Sequence, residues 1–192
     1  MFQAKRHEKK GGVAILISDK IDFKTKAIKR DKVGHYIIFK GIVQQEDISL
    51  VNIYAPNIEA PKYIKKILED FKKHVDNNTV IEGEFNTPLS TMDRSSKQRI
   101  NKDIVTLKDT PDQMYLIDMY ITFHPKEAKY TFFSNACGTF SKVDHMIGHK
   151  TSLRKFKKTE IILSMCSDQN GLKLENNLGE NNLKTFQYME TD

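Results

Sequence analysis

The run Val80-Ile81-Glu82-Gly83-Glu84-Phe85-Asn86 carries a carboxylate and a carboxamide two positions apart. On an extended chain residues i and i+2 share a face, so Glu84 and Asn86 can address one site. A carboxylate beside a carboxamide suits activation of water and positioning of a phosphate. Alone, the segment favours a blander reading, a strand-to-loop turn with Glu84 in water. Three other segments can join it. Asn52-Ile53-Tyr54-Ala55-Pro56-Asn57 ends the preceding strand with a phenol at the same sheet edge. Ser141-Lys142-Val143-Asp144-His145 puts an acid in another strand, and Ser167-Asp168-Gln169 puts a third acid before the last one. Mg²⁺ takes oxygen ligands from a few carboxylates and waters, so scattered acids could converge around one ion. Each acid by itself reads as a cap or a surface group.

The elements that must position these groups follow from hydrophobic period. Gly12 to Ser18 reads as a buried strand, and Lys24 to Asp31 as a polar, charged stretch. His35 to Val43 and Ile48 to Tyr54 read as a hairpin joined through Gln44-Gln45-Glu46-Asp47. Ile64, Ile67, Leu68, Phe71 and Val75 fall at helical spacing behind Pro61, with Asp76-Asn77-Asn78 closing the helix. Thr79-Val80-Ile81 is a short buried strand. Lys97 to Lys108 predicts another helix, and Leu116 to Phe123 a short helix or turn. Tyr130 to Phe133, Ser141 to Ile147, Glu160 to Leu163 and Leu172 to Glu175 predict further strands. Strands with interspersed helices and no repeat period indicate a mixed α/β fold with helices packed on sheets.

The 192 residues suit one domain, with no apolar run long enough to span a bilayer. The basic start lacks a signal-peptide apolar region, so an intracellular protein of nucleus or cytoplasm is expected. Cys137 and Cys166 form no spaced motif and are expected to be reduced, inert thiols. Lys+Arg 31 against Asp+Glu 25 gives a formal charge of +6. That excess fits a polyanion partner, and equally a solvated basic surface.

Several segments in order and spacing resemble the exonuclease–endonuclease–phosphatase superfamily, and within it the endonuclease domain of long interspersed element retrotransposons. They are GGVAILISDK, IKRDKVGHYI, VNIYAPN, FNTPLSTMDRS, YTFFS and SKVDHMIG. The resemblance implies a DNase I-like four-layer α/β sandwich over 11–175, between a basic leader (1–10) and an Asn-rich tail (176–192). It implies Mg²⁺-dependent hydrolysis of DNA phosphodiesters by a monomer, with no small-molecule cofactor and no membrane partner. Residue by residue, Tyr54 matches the phosphate-facing tyrosine and Asn86 the asparagine of the Gly-Asp-Phe-Asn motif. Asp144 matches the aspartate that orients the catalytic histidine, and Asp168 the acid at the metal site. Arg94, Thr131, Ser141, Lys142 and Val143 match positions that touch DNA or shape the recognition loops. The 134–140 loop matches the hairpin that such enzymes press against the groove.

Three departures bear on activity. The family's domain begins upstream, with a strand bearing an asparagine and another ending Gln-Glu-Thr, whose glutamate binds Mg²⁺. Met1 to Lys10 offer no counterpart, so the sandwich is expected to be incomplete at its N-terminus. Glu84 stands where the family has aspartate, and a displacement of about 1 Å can cost roughly 10²-fold in rate. Gln169 stands where the family has histidine. Glutamine donates a neutral hydrogen bond but carries no proton, and losing one preorganised donor costs roughly 10²–10³ in rate. His145 and His149 lie near the motif without occupying the histidine position and read as bystanders. The expected product is a catalytically defective endonuclease. A DNA-binding remnant using Arg94, Lys142, the Arg154–Lys158 cluster and the basic N-terminus is the alternative, as is translated debris of an inserted element with no selected role.

Overall fold

Two periodicities, alternation and the 3.6-residue repeat, sort this chain into a sheet and the helices that cover it. The computed structural model describes residues 2–5, 12–15, 17, 22–43, 45–95, 102–135, 137–162 and 171–177. Within them, β3 (Phe23–Arg30), β4 (Tyr36–Val43), β5 (Glu46–Tyr54), β6 (Thr79–Glu84), β7 (Leu116–Asp118) and β10 (Asp144–His149) pair in the order β3-β4-β5-β6-β10-β7. The ladder is antiparallel except between β5 and β6, which run parallel. A parallel step needs a crossover. That crossover is α1 (Ala60–Phe71), which buries Ile64, Ile67, Leu68 and Phe71 against Val51, Ile53, Ile81 and Ile147. Helix α2 (Lys102–Gln113) packs on the same face through Leu107.

The opposite face is covered by hairpins. Strand β1 (Phe2–Lys5) pairs with β2 (Gly12–Ile15), and β11 (Phe156–Ile162) with β12 (Gly171–Asn176). Ala4, Val13, Ile15, Leu172 and Leu174 meet Phe39, Leu50, Val80 and Met146 there, together with Met119 and Tyr120 of α3 (Met119–Phe123). Polar ties add to the contact: Asn52 donates its Nδ2 to the Ala14 carbonyl at 3.0 Å, and Arg30 its Nε to Gln3 at 3.0 Å. A third hairpin, β8 (Phe132–Ser134) with β9 (Thr139–Ser141), precedes β10. No helix among the described residues is long and apolar enough to cross a membrane. Cys137 is an exposed free thiol, while Cys166 lies outside the described residues.

Several boundaries depart from the sequence reading for identifiable reasons. The charged stretch from Lys24 is an edge strand whose outward lysines discourage further strand pairing. The basic leader contains β1, because Phe2 packs on Phe39 at 5.3 Å between ring centroids. Helix α1 stops at Phe71 rather than at 76–78. Asp76 instead accepts from the Asn78 N–H and the Thr79 hydroxyl, a local turn that launches β6. Helix α2 runs later than expected and tolerates Pro111 in its last turn, while 97–101 lie outside the described residues. Ser141 belongs to β9, so the strand carrying Asp144 begins three residues late. Strand β12 extends into the expected tail at Asn176, and 178–192 lie outside the described residues.

Candidate active site

Tyr54, Glu84 and Asp144 come from three strands and meet in one row. Tyr54 is the register partner of Glu84 across the parallel ladder, and Glu84 that of Asp144 across the antiparallel one. Neighbouring strands lie about 4.8 Å apart, and residues in register point to one face. That face is the hairpin side, because Leu50, Val80 and Met146, each at an even offset along its strand, all belong to the hairpin-side core. Gly83 makes the close approach possible. Its φ is +139°, and a Cβ there would stand 1.9 Å from the Ile53 carbonyl oxygen.

The exit from β6 is fixed from both sides. The Ala55 N–H donates to the Glu84 carbonyl at 2.8 Å, and the Phe85 N–H to Val143 at 2.8 Å. Asn86 turns the chain in the left-handed region (φ 50°) and donates its Nδ2 to the Ala55 carbonyl at 2.7 Å. Asn86 thus locks together the two strand ends that carry Tyr54 and Glu84.

Burial shapes the acids. Asp144 is 2% exposed and Glu84 4%. Loss of solvent pushes the Asp144 carboxyl up to about 6, although the Thr131 hydroxyl and the neighbouring His145 favour its charged form. Asp144 Oδ2 has no hydrogen-bond partner among the described residues. Glu82, on the same face of β6, is pushed up to about 8 by burial alone. Its neighbour in register, Asn52, has a buried Oδ1 with no partner among the described residues.

The other face of β10 holds a network that sequence reasoning missed. His145 is fully buried, with Nδ1 3.1 Å from Asp118 Oδ2 and Nε2 2.9 Å from the Thr87 carbonyl. Both ring nitrogens thus lie against oxygen acceptors. Lys142 is 1% exposed and places Nζ 2.8 Å from Asp118 and 3.2 Å from Asp93. Lys142 thus faces two carboxylates. Burial opposes ionisation of Asp118, but the hydrogen bond from His145 and the Lys142 charge outweigh it and hold the carboxyl well below its ordinary range. Asp93 also accepts from the Leu89 and Ser90 N–H groups, and Asp118 caps α3 through Ile121.

The network shows where four of these residues sit. His145 is no bystander; it ties β10 to the loop after Asn86. Lys142 is buried as a counter-charge to Asp93 and Asp118. Thr131, 1% exposed, accepts at its hydroxyl from the Val143 and Asp144 N–H groups at 3.1 and 3.3 Å, and Val143 is core. Both position Asp144 instead of facing solvent. Of the expected DNA contacts, Arg94 and Ser141 stay half-exposed and form a β-bridge with each other. The Arg154–Lys158 cluster is largely ion-paired: Lys155 with Glu46, Lys157 and Lys158 with Glu175, and Lys158 with Glu160. His149 caps the turn that follows β10. The partners of His145 lie 27 and 58 residues away, so only the general rule that buried charges are paired could have flagged them.

Asp168 and Gln169 lie outside the described residues. Among the described residues no three Asp, Glu, His or Cys side chains converge as ligands for a metal ion. Glu84 and an Asp144 shifted toward neutrality do not fit Mg²⁺ by themselves, so no chemical step is derived through it.

No protein-family model matches the sequence. Solved structures do. The endonuclease domain of TRAS1, a telomere-specific non-LTR retrotransposon, superposes with a TM-score of 0.65 at 16% identity, over 86% of this chain and 73% of that one. An AP endonuclease from Archaeoglobus fulgidus gives 0.61 at 15% identity, over 93% and 72%. The 3′ phosphatase NExo from Neisseria, bound to a product DNA hairpin, gives 0.62 at 16% identity, over 86% and 72%. At these identities the likeness is one of fold, the DNase I-like α/β fold expected above.

Proposed function

We propose that this chain, built on the DNase I-like fold, is a DNA phosphodiesterase of the retrotransposon-endonuclease kind in which the site persists and the rate is largely lost. The observation that carries the reading is the row of Tyr54, Glu84 and Asp144 in register at one sheet edge, with Asn86 locking its exit. A phenol, a carboxylate and a second carboxylate on one face are the groups needed to hold a phosphate oxygen, align a water and orient a proton carrier. Neighbours of the same fold include an endonuclease domain and an enzyme bound to DNA, which supports DNA as the substrate.

Two of the three departures lie in residues of the site itself. Glu84 reaches one methylene further than the aspartate of the motif it resembles. Gln169, where that motif has histidine, can donate an amide N–H to an anionic oxygen but cannot move a proton. The half-exposed Arg94 and Ser141 favour a second reading, DNA binding without chemistry.

Nicking of supercoiled plasmid and of abasic duplex, with and without Mg²⁺, separates the two. The proposal expects slow nicking that Asp144→Ala abolishes. Nicking that persists in Asp144→Ala would show a contaminant and sink the catalytic reading, and DNA binding with no nicking at high protein concentration would favour the second.

A further inference from the structure

The β8–β9 hairpin carries apolar surface that neither core uses. Phe133 and Phe140 are direct register partners, their ring centroids 4.6 Å apart, yet they are 39% and 48% exposed. Tyr130 lies nearly parallel to Phe140 at 6.0 Å. Strand alternation explains why one face of the hairpin turns outward, but not why that face carries phenylalanine, which solvent alone disfavours. Three aromatic rings form a strip.

The strip is held rigidly. The Gly138 N–H donates to the Ser134 carbonyl at 2.8 Å and closes the loop, with Gly138 at φ 60°. The Ser95 N–H donates to the Phe140 carbonyl at 3.0 Å, and the Phe140 N–H to the Ser95 hydroxyl at 2.9 Å. Beside them Arg94 bridges Ser141 and forms no ion pair among the described residues. Phe140 stands four residues before Asp144, roughly 13 Å along an extended chain. A fixed aromatic face with a guanidinium at its edge that is unpaired among the described residues has the chemistry of nucleotide recognition: the ring takes the base and the cation takes the phosphate.

We propose that the Phe133–Phe140 pair is a stacking platform for an unpaired DNA base, so that the chain selects duplexes carrying a displaced nucleotide over perfect ones. Bases inside an intact duplex offer the grooves only their edges, whereas a displaced base offers a flat face. Perfect duplex then gains only the phosphate contacts, chiefly at Arg94. The inference rests on the reading that DNA lies along this sheet edge.

Fluorescence anisotropy with the full chain tests it, using a labelled duplex with one central unpaired adenine and the matched perfect duplex. The expected preference for the unpaired site is roughly fivefold to 150-fold, the equivalent of about 1–3 kcal/mol per stacked base. Phe140→Ala and Phe133→Ala remove that preference and leave perfect duplex within about twofold. Both residues are exposed, and circular dichroism verifies that the variants fold. Equal affinity for the two duplexes overturns the platform while leaving DNA binding intact. Absence of binding to either duplex at low salt overturns both the platform and the reading beneath it. Self-association that disappears in Phe140→Ala would assign the strip to a second copy of the chain and likewise overturn the proposal.

Discussion

Asp144 and His145 are adjacent in β10, point to opposite faces of the sheet, and have opposite fates. On the helix side His145 and Lys142 meet Asp93 and Asp118, and every charge is opposed. On the hairpin side Glu82 and Asp144 are buried without such partners, and desolvation holds both toward neutrality. A paired buried network specifies geometry, whereas burial without an opposing charge among the described residues disfavours the ionised form of an acid. The positioning network and the row of Tyr54, Glu84 and Asp144 thus lie on opposite faces of the sheet and are held by different forces.

The largest test of that contrast is Lys142→Met. Removing the cation strips Asp93 of its ion pair and leaves Asp118 with His145 alone, a loss of about 3–5 kcal/mol. For a chain of this size the thermal midpoint should drop by roughly 6–20 °C. A variant as stable as the parent would break the distinction between the faces.

Glu82→Gln comes next. The folded chain holds the Glu82 proton up to about 8, so stability is fully present below the ordinary glutamate range and is lost as pH rises through 8. Denaturant titrations at pH 5 and 9 should differ by a few kcal/mol, and Glu82→Gln should remove most of the difference. Asp144→Asn acts in the same direction with a smaller effect. Its carboxyl titrates near 6 when folded, so the substitution should stabilise the chain above that pH by on the order of 2 kcal/mol. Asp118 behaves oppositely, its stabilisation surviving into strongly acidic solution. The smallest effect is that of Arg94→Ala, which should lower the slope of log affinity against log salt by about one, with little change in stability.

Much of the fold was legible because burial enforces period. The alternation from His35 to Tyr54 and the helical spacing from Ile64 to Phe71 are read directly in the observed hairpin and helix. The row of Tyr54, Glu84 and Asp144 was legible as segments, since a strand exit bearing Gly-Glu-Phe-Asn is local chemistry. The roles of Thr131, Lys142 and His145 were not. Their meaning depends on which face each occupies and on partners such as Asp93, Asp118 and Thr87, brought together only by the register of β10 with β6 and β7. Strand β3 escaped notice because its lysines report solvent exposure at a sheet edge and hide the extended backbone beneath.

The central claim is that the reacting row persists and that Glu84 and Gln169 suppress its rate. Plasmid nicking by the double variant Glu84→Asp/Gln169→His, compared with the parent chain in Mg²⁺, tests it most directly. The account predicts acceleration of at least roughly 10²-fold, abolished again by adding Asp144→Ala. A correctly folded double variant that binds DNA yet nicks no faster than the parent would contradict it.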